Sequence, residues 1–326
     1  MAHQYSKVLV AGGAGFIGSH IVDKLLEAGV EVTVLDNLYS GQMENIEQHR
    51  KKRNFHFVKG DVRNFKLVKS IVKKVDAVFN EAAVVSVPRS VENPLLASDV
   101  NINGALNLLK ASLDSGVKRF VQASSASVYG DTETLPLTEK MPSKPISPYA
   151  VSELAAENYA KVFCSVYGLE TVCLRYFNVY GPRQTYSAYS GATTIFVNQL
   201  LRNQPPTING DGEQTRDFVY VEDVVAANML ALERKNAVGE AFNIATGKAT
   251  TVNKLVQTLQ KTMDKTDLKP LHKKPRPGDI LHSYASIEKA RKTISYEPTF
   301  TLEKGLKKLA QWYTAKSLTP NKTRKK

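Results

Sequence analysis

The first half of the chain alternates between short apolar runs and longer amphipathic stretches. Runs in which nearly every position is apolar predict strands that are buried on both faces. These runs lie at 8–11, 31–35, 55–58, 77–79, 120–123 and 171–174. Stretches with apolar residues at helical spacing follow the first run and lie at 66–73, 95–115 and 150–167. Alternating strands and helices predict an α/β fold, in which a doubly wound parallel sheet is covered by helices on both faces.

The regular alternation ends near residue 177. Clusters of proline and glycine, which mark turns and loops, follow at 181–182, 205–206 and 275–278. We therefore expect residues 1–177 to form the sheet domain and residues 178–316 to form a smaller C-terminal lobe. Residues 217–247 are expected to return to the sheet domain. The last segment, 317–326, is rich in basic residues and is expected to be a flexible tail.

The composition is that of a soluble globular protein, because 42% of the 326 residues are hydrophobic and 23% are charged. The net charge of +13 suggests anionic partners. Much of this excess lies near the C-terminus, where no acidic residue follows Lys304. The basic residues there are Lys304, Lys307, Lys308, Lys316, Lys322, Arg324, Lys325 and Lys326. A basic stretch alone is weak evidence for nucleic-acid binding, so we do not expect a nucleic-acid partner.

Neither membrane insertion nor secretion is expected. No apolar run approaches the ~18 residues of a membrane-spanning helix, and the first residues lack the apolar region of a signal peptide. Cys164 and Cys173 lie in neither a metal-binding nor a redox spacing, so we expect no metal site. Unpaired thiols are typical of a reducing compartment, and a cytoplasmic location is therefore expected.

A glycine-rich turn follows the first predicted strand and opens the first predicted helix. Gly12, Gly15 and Gly18 recur at every third position, which lets a turn tighten and its backbone approach a pyrophosphate. Asp36 ends the next strand, eighteen residues after Gly18, where a carboxylate can bind an adenosine ribose. A carboxylate there repels a 2′-phosphate, so NAD is favoured over NADP. The alternative interpretation is a structural turn with an unrelated surface aspartate.

Motifs along nearly the whole chain resemble those of the extended short-chain dehydrogenase/reductase family, and most closely those of the UDP-hexose 4-epimerases. The resemblance covers residues 7–312. It rests on motifs at 12–18, 60–62, 82–83, 101, 124–130, 149–153, 175–178, 210–218 and 276–279. It implies a Rossmann domain that binds NAD and a C-terminal lobe that binds a UDP-sugar. It also implies a homodimer packed through the helices near 95–115 and 150–167.

The resemblance further implies a set of cofactor contacts. In the family Asp61 and Val62 contact adenine, Asn101 helps to position the active site, and Tyr176 packs near the nicotinamide. The full expected set is Gly12, Gly15, Phe16, Ile17, Gly18, Asp36, Asn37, Asp61, Val62, Ala82, Ala83, Asn101, Tyr149 and Tyr176.

The same resemblance implies that Ser125 and Tyr149 carry the chemistry. A serine at position 125 can bond the sugar O4 and relay its proton to the tyrosine. The alternative is that this serine, in a serine-rich turn, only caps the next segment. Ala126 and Ser127 stand where related 4,6-dehydratases have an acidic pair, which favours simple 4-epimerisation of the sugar.

Position 153 departs from the family pattern. The family has a lysine one helical turn after the tyrosine, and this chain has Glu153. The lysine lowers the tyrosine pKa by its charge and holds the nicotinamide ribose, whereas a carboxylate opposes ionisation of Tyr149. Two interpretations follow: a 4-epimerase impaired by Glu153, natural or engineered, or a catalytically weak or silent protein that binds NAD and a nucleotide-sugar. Lys161 lies on another face of the same predicted helix and does not replace the missing lysine.

The substrate contacts implied by the resemblance are Ser86, Ser125, Asn178, Arg216, Arg276, Asp279 and Ser283. Arginine forks pair well with phosphate oxygens, so Arg216 and Arg276 suit a diphosphate. Ser283 stands where a bulky tyrosine excludes N-acetyl groups in the family. We therefore expect UDP-glucose and UDP-galactose as substrates, together with their N-acetylated counterparts.

Overall fold

The computed structural model describes residues 5–185, 191–275 and 280–318. The strands in these ranges are β1 (Lys7–Ala11), β2 (Glu31–Asp36), β3 (Phe55–Lys59), β4 (Ala77–Asn80), β5 (Arg119–Ser125), β6 (Thr171–Tyr176), β7 (Asn178–Tyr180), β8 (Thr207–Asn209), β9 (Thr215–Arg216), β10 (Phe218–Tyr220), β11 (Ala241–Ile244), β12 (Thr250–Thr251) and β13 (Leu271–Lys273). The helices are α1 (Phe16–Glu27), α2 (Phe65–Val72), α3 (Val87–Glu92), α4 (Pro94–Ser98), α5 (Gly104–Asp114), α6 (Pro148–Tyr167), α7 (Ala192–Leu201), α8 (Val221–Glu233), α9 (Val252–Thr262), α10 (Glu288–Ile294) and α11 (Leu302–Leu318). None of these helices combines the length and the apolar character needed to cross a membrane.

A parallel sheet of seven strands, in the order β11-β6-β5-β4-β1-β2-β3, organises the described residues. The predicted doubly wound α/β fold is therefore confirmed. β5 extends two residues beyond its apolar run, because Ser124 and Ser125 pair with Arg175 and Tyr176 of β6. These polar residues carry no apolar signal, although they continue the strand.

The sheet buries a separate core on each face. Successive residues of β1 point to opposite sides, so Val8 and Val10 join one cluster while Leu9 and Ala11 join the other. The first cluster packs against α1 and α8, and the second packs against α2, α5 and α6. Burial on both faces explains why the strands of this sheet are apolar at nearly every position.

The strand order reverses between β1 and β4, which creates a switch point at the carboxyl ends of the strands. Open α/β sheets bind ligands in the crevice outside such a point. β11 pairs with β6 at the edge of the sheet, so residues 241–244 belong to the sheet although they lie far along the chain. The chain therefore directs the ends of β1, β2, β4, β5 and β6 towards one crevice.

A third apolar cluster lies beyond the sheet. It joins α7, α9 and α11 with Tyr180 and Tyr220, which stack edge to face at 5.5 Å. Asp217 ties this region together, because its carboxylate accepts the N–H groups of Thr246 at 2.8 Å and Gly247 at 2.9 Å. The division into two lobes stays a prediction. α11 continues to Leu318, and the remaining residues of the predicted tail lie outside the described ranges.

Local sequence signals fix both ends of α6. Ser147 caps its start by accepting the N–H of Ala150 at 3.1 Å, and Pro148 occupies the first helical position. Gly168 ends the helix in the left-handed region, with φ of +74°. The helix thus begins two residues before the predicted start at 150.

The helix predicted over 95–115 is instead two helices joined by a π-helical turn, Asp99–Asn103. A π turn inserts an extra residue, which apolar periodicity does not reveal. Asn101 lies in this turn, and its side chain is buried. The π turn therefore points the polar side chain of Asn101 towards α6. A regular helix would have faced α6 with apolar residues.

Candidate active site

The glycine turn forms a tight cradle between β1 and α1. Gly12 adopts φ of +78°, and a Cβ atom there meets the carbonyl of Glu81 at 2.7 Å. A Cβ atom at Gly18 collides with the carbonyl oxygen of Gly12, so both positions require glycine. α1 begins directly afterwards at Phe16 and Ile17. Their backbone N–H groups have no carbonyl acceptor within the helix. The turn therefore fits the pyrophosphate of a dinucleotide.

Asp36 lies beside this cradle at the end of β2. Its two carboxylate oxygens accept the N–H groups of Ala14 at 3.0 Å and Leu38 at 2.8 Å. Burial raises the pKa of Asp36, and the two N–H groups oppose that rise. The amide of Ala14 thus fixes the carboxylate against the glycine turn, where it fits the ribose of an adenosine.

The predicted adenine side is formed by the residues after β3. Asp61 accepts Asn37 Nδ2 at 2.9 Å and forms two hydrogen bonds with the Arg63 guanidinium, both at 2.9 Å. This guanidinium holds the pKa of Asp61 well below its usual range. Val62 is buried, and a Cβ atom at Gly104 meets its side chain at 2.5 Å. Asn37, Asp61 and Val62 therefore lie together at the carboxyl ends of β2 and β3.

Asn101 connects the end of β4 to α6. Ala82 and Ala83 follow β4, and the next residue, Val84, donates its N–H to Asn101 Oδ1 at 2.7 Å. Asn101 Nδ2 donates to Ser152 Oγ at 3.0 Å and to Glu153 Oε1 at 3.3 Å. The amide therefore positions the loop that carries Ala82 and Ala83 against the helix that carries Glu153.

Ser125 and Tyr149 meet at the carboxyl end of β5, where the Ser125 hydroxyl lowers the pKa of the Tyr149 hydroxyl. Ser127 donates its N–H to Ser125 Oγ at 3.1 Å. This bond fixes the position of the serine oxygen. Ser90 Oγ accepts the N–H of Tyr149 at 3.0 Å and fixes its backbone against α3.

The surroundings of the Tyr149 hydroxyl disfavour its ionised form. Burial is the main cause that raises its pKa, and the negative charge of Glu153 raises it further. The hydrogen bond from Ser125 acts in the opposite direction. A cation is thus missing at the point where the resemblance implies a lysine.

Glu153 is a buried acid, with only 6% of its surface exposed. Burial raises its pKa to about 8, and the charges of Glu81 and Glu157 add to the rise. At neutral pH the side chain is therefore mostly protonated and uncharged. This differs from the ionised carboxylate expected from the sequence, because sequence spacing reveals neither the burial nor the neighbouring acids.

Glu157, one helical turn further, has the opposite character. Its carboxylate accepts Arg175 Nε at 2.9 Å, Lys161 Nζ at 2.6 Å and Ser124 Oγ at 2.8 Å. The Arg175 bonds and the nearby cations lower the pKa of Glu157 to about 2, although burial opposes them. Lys161 therefore binds Glu157.

Glu81 is a site residue that the sequence motifs miss. It follows β4, and its Oε1 accepts the hydroxyl of Tyr176 at 2.8 Å. Asn228 Nδ2 in turn donates to the Tyr176 oxygen at 2.8 Å. Burial raises the pKa of Glu81 to about 8, and the Tyr176 bond opposes this rise. The signal in the sequence is an acid directly after a buried strand, at the edge where ligands bind.

The described substrate candidates lie on several elements of the chain. Ser86 caps α3 by accepting the N–H of Arg89 at 3.3 Å. Asn178 begins β7, and Ser283 donates its N–H to the carbonyl of Thr215 at 3.1 Å, next to Arg216. Arg216 Nη1 donates to the carbonyl of Thr215 at 2.8 Å. Two further candidates lie outside the described residues, namely Arg276 and Asp279.

Sequence comparison places the chain among known proteins. The NAD dependent epimerase/dehydratase family matches residues 8–245, and the chain belongs to this family. The family and the cofactor expected from the sequence are confirmed, and the glycine cradle with Asp36 fits NAD. A UDP-glucose 4-epimerase of Mycolicibacterium smegmatis is 36% identical over 95% of this chain and 99% of its own length.

Solved structures give the same assignment. A UDP-glucose 4-epimerase from Thermotoga maritima, solved with UDP-glucose, is 41% identical with a TM-score of 0.90, and the match covers 95% of this chain and 99% of that one. A UDP-N-acetylglucosamine 4-epimerase from Methanobrevibacter ruminantium M1, in complex with UDP-N-acetylmuramic acid, is 38% identical with a TM-score of 0.92. That match covers 96% of this chain and 100% of the other.

Proposed function

We propose that this protein is an NAD-dependent UDP-hexose 4-epimerase whose proton transfer takes place at Ser125 and Tyr149. The observation that carries the proposal is the pair of hydroxyl groups at the carboxyl end of β5, where Ser125 lowers the pKa of Tyr149. The pair lies at the same sheet edge as the glycine cradle of β1. The names of the relatives supply the reaction class and the nucleotide.

The two hydroxyl groups divide the work of proton transfer. NAD, held by the glycine turn and Asp36, would supply the hydride chemistry at sugar C4. Tyr149 takes the proton of the sugar O4 hydroxyl as the hydride leaves, and it gives the proton back when the hydride returns. Ser125 bonds O4 and relays the proton, and its orientation is set by the N–H of Ser127.

Simple epimerisation fits better than dehydration. A 4,6-dehydratase needs an acid and a base for the second step, and the resemblance places them at Ala126 and Ser127. These residues begin a short 3-10 helix, Ala126–Tyr129, and neither bears a carboxyl group. The 4-keto sugar therefore has no acidic pair from this turn to remove water, and it is reduced again.

Ser283 supports a broad substrate range. It lies in the segment that pairs with Thr215, beside Arg216. A serine leaves room at the position where the resemblance implies a gate for the 2-substituent of the sugar. We propose UDP-glucose and UDP-galactose as substrates, and also their N-acetylated counterparts. Asn178 and Arg216 are proposed to hold the nucleotide, together with Arg276 and Asp279.

Proton NMR of purified protein with UDP-glucose, or with UDP-N-acetylglucosamine, tests this proposal. We expect both sugars to be converted to their C4 epimers. Ser283→Tyr should reduce conversion of the N-acetylated sugar by roughly tenfold or more, since a lost fit is worth about 1–3 kcal/mol. It should leave UDP-glucose conversion within about twofold. Equal losses on both sugars would show that Ser283 is not the gate.

The same spectra separate the enzyme from a silent binding protein. The silent alternative depends on an ionised Glu153 beside Tyr149, and burial raises the pKa of Glu153 to about 8. At neutral pH Glu153 therefore opposes the ionisation of Tyr149 less than an ionised carboxylate does. A protein that retains NAD and binds UDP-glucose without converting it would support the alternative.

We also propose a homodimer formed through α4 and α6. The outer face of α6 carries an apolar stripe at helical spacing, with Val151, Tyr159, Val162 and Val166 exposed, and Leu95 of α4 is 81% exposed. Exposed apolar patches of this kind mark protein interfaces.

A cytoplasmic location is proposed from the free thiols Cys164 and Cys173.

A further inference from the structure

Two side chains from different elements meet across the cofactor crevice. Tyr39 lies on the loop that follows β2, and Arg89 lies on α3, which follows β4. Arg89 Nη1 donates to the Tyr39 hydroxyl at 3.2 Å, and the guanidinium carbon lies 5.5 Å from the centre of the Tyr39 ring. That distance is within the range of a cation–π interaction. The contact therefore joins two segments that are 50 residues apart in the chain.

The order of the strands places this contact at the glycine turn. β1 lies between β2 and β4 in the sheet, so a contact between the segments that follow β2 and β4 crosses the carboxyl end of β1. The loop that carries Tyr39 also returns to the turn, because Gln42 donates its N–H to the carbonyl of Ala14 at 2.9 Å. The contact thus spans the crevice where the turn fits a pyrophosphate.

The backbone of Tyr39 is fixed by the residues of the adenosine side. Leu38 has a φ of +61°, and its N–H donates to the Asp36 carboxylate at 2.8 Å. Tyr39 donates its own N–H to Asn37 Oδ1 at 2.9 Å, and Asn37 Nδ2 donates to Asp61 at 2.9 Å. The loop therefore holds Tyr39 in a defined place beside the cofactor crevice.

The backbone of Arg89 is fixed on the opposite side. Its N–H donates to Ser86 Oγ at 3.3 Å, within α3. The next residue, Ser90, is buried and donates its hydroxyl to the carbonyl of Val87 at 2.7 Å. Ser90 Oγ also accepts the N–H of Tyr149 at 3.0 Å. α3 is therefore attached to the start of α6, next to the residue that is proposed to move the proton.

The two backbones are held in place, while the side chains that meet lie at the surface. Tyr39 is 56% exposed, and Arg89 is half-buried. Side chains at the surface change rotamer rapidly, so this contact can open without movement of the sheet.

We propose that Tyr39 and Arg89 form a clasp over the cofactor crevice, which opens by rotation of the two side chains and slows the release of NAD. The clasp goes beyond the proposed function, because it requires bound NAD and no sugar. A slow release also suits that function. A 4-epimerase regains its NAD in every cycle, so its turnover does not require the cofactor to leave.

The rate at which NAD leaves the protein tests the clasp without reference to activity. NAD-loaded protein is mixed with an excess of isotopically labelled NAD, and the label bound after gel filtration is followed over time. Arg89→Met removes the guanidinium, and Tyr39→Leu removes the ring. Each should release NAD at least about fivefold faster than the parent, because a cation–π contact and a hydrogen bond are lost.

Two further variants separate the contact from general effects. Tyr39→Phe keeps the ring and loses only the hydroxyl, so its release rate should lie between those of the parent and Tyr39→Leu. Arg53→Met removes the same charge from an exposed position just before β3, at the amino end of the sheet. It should release NAD at the parent rate.

The double variant, Tyr39→Leu with Arg89→Met, distinguishes a clasp from two separate contacts with the cofactor. Residues that act only through each other are not additive. We expect the double variant to release NAD within about twofold of the faster single variant. Separate contacts predict that the two effects multiply, to roughly 25-fold or more, and this result would overturn the clasp. Parent-like release in both single variants would also overturn it, whether or not the protein is an epimerase.

Discussion

At the residue scale, position 153 shows how much a single substitution depends on its surroundings. The sequence predicts a carboxylate one helical turn from Tyr149, and it correctly indicates that a cation is missing there. It does not reveal the influence of Glu81, whose charge acts on Glu153 from the end of β4 and raises its pKa. Burial and a second acid together change the charge that Tyr149 meets. Such nonlocal electrostatics require the fold.

Glu153→Lys is expected to raise the rate at neutral pH. The charge at position 153 acts on Tyr149, so an ammonium group there favours tyrosinate. Each unit by which the tyrosine pKa falls increases the tyrosinate fraction about tenfold, or ~1.4 kcal/mol. Initial rates from pH 6 to about pH 10 should show the profile moved to lower pH.

A control variant separates the local effect from a change of net charge. Glu233→Lys makes the same charge change on the exposed end of α8 and should leave the profile in place. A Glu153→Lys enzyme that is slower than the parent at every pH would contradict the interpretation of Glu153 as a handicap. It would instead indicate that the acid itself takes part in proton transfer.

At the element scale, the turn between β1 and α1 is the part of the site that the sequence predicts best. Its glycines are required by contacts within a short segment and with the adjacent strand end, so their spacing alone carries the signal. The π turn at Asp99–Asn103 is the opposite case, since only its contact with α6 explains the inserted residue. Local geometry can be deduced from sequence, whereas partner-dependent geometry cannot.

Gly12→Ala should weaken NAD binding by at least about tenfold, roughly 1.4 kcal/mol. The added Cβ atom meets the Glu81 carbonyl at 2.7 Å, so the turn has to open. Gly116→Ala is the matched control, because Gly116 also has a positive φ, of +69°, and its Cβ atom meets nothing within 4 Å. Both variants carry backbone strain, but only the first should release NAD, as measured by cofactor content after gel filtration. If both variants lose NAD equally, backbone strain alone explains the loss.

At the scale of the whole molecule, the sequence predicts the sheet and misses much of the second region. Buried parallel strands carry their own apolar signal, so the runs at 8–11 and 31–35 identify β1 and β2 directly. After residue 177, the strands outside the seven-stranded sheet are two or three residues long, and some pair across large separations, as β8 does with β13. Pairing of that kind leaves no periodic pattern in the chain.

The proposed dimer predicts that a charged residue placed in the interface halves the mass of the protein in solution. Val162 lies at the centre of the exposed stripe of α6, and Val162→Glu places a charge where two apolar faces meet. Light scattering after gel filtration should give twice the chain mass for the parent and the chain mass for Val162→Glu. Leu271→Glu, at an exposed position on β13, should remain dimeric. A monomeric parent would contradict the proposed interface.

The central claim is that the sugar C4 is inverted by internal hydride transfer while its hydroxyl proton moves through Tyr149. Conversion of UDP-glucose in D₂O, followed by proton NMR and mass spectrometry, tests this claim most directly. A hydride that leaves C4 and returns to it does not exchange with solvent, whereas an abstracted proton does. We predict a product epimerised at C4 that keeps its original C4 hydrogen. Deuterium at C4 of the product would contradict the claim.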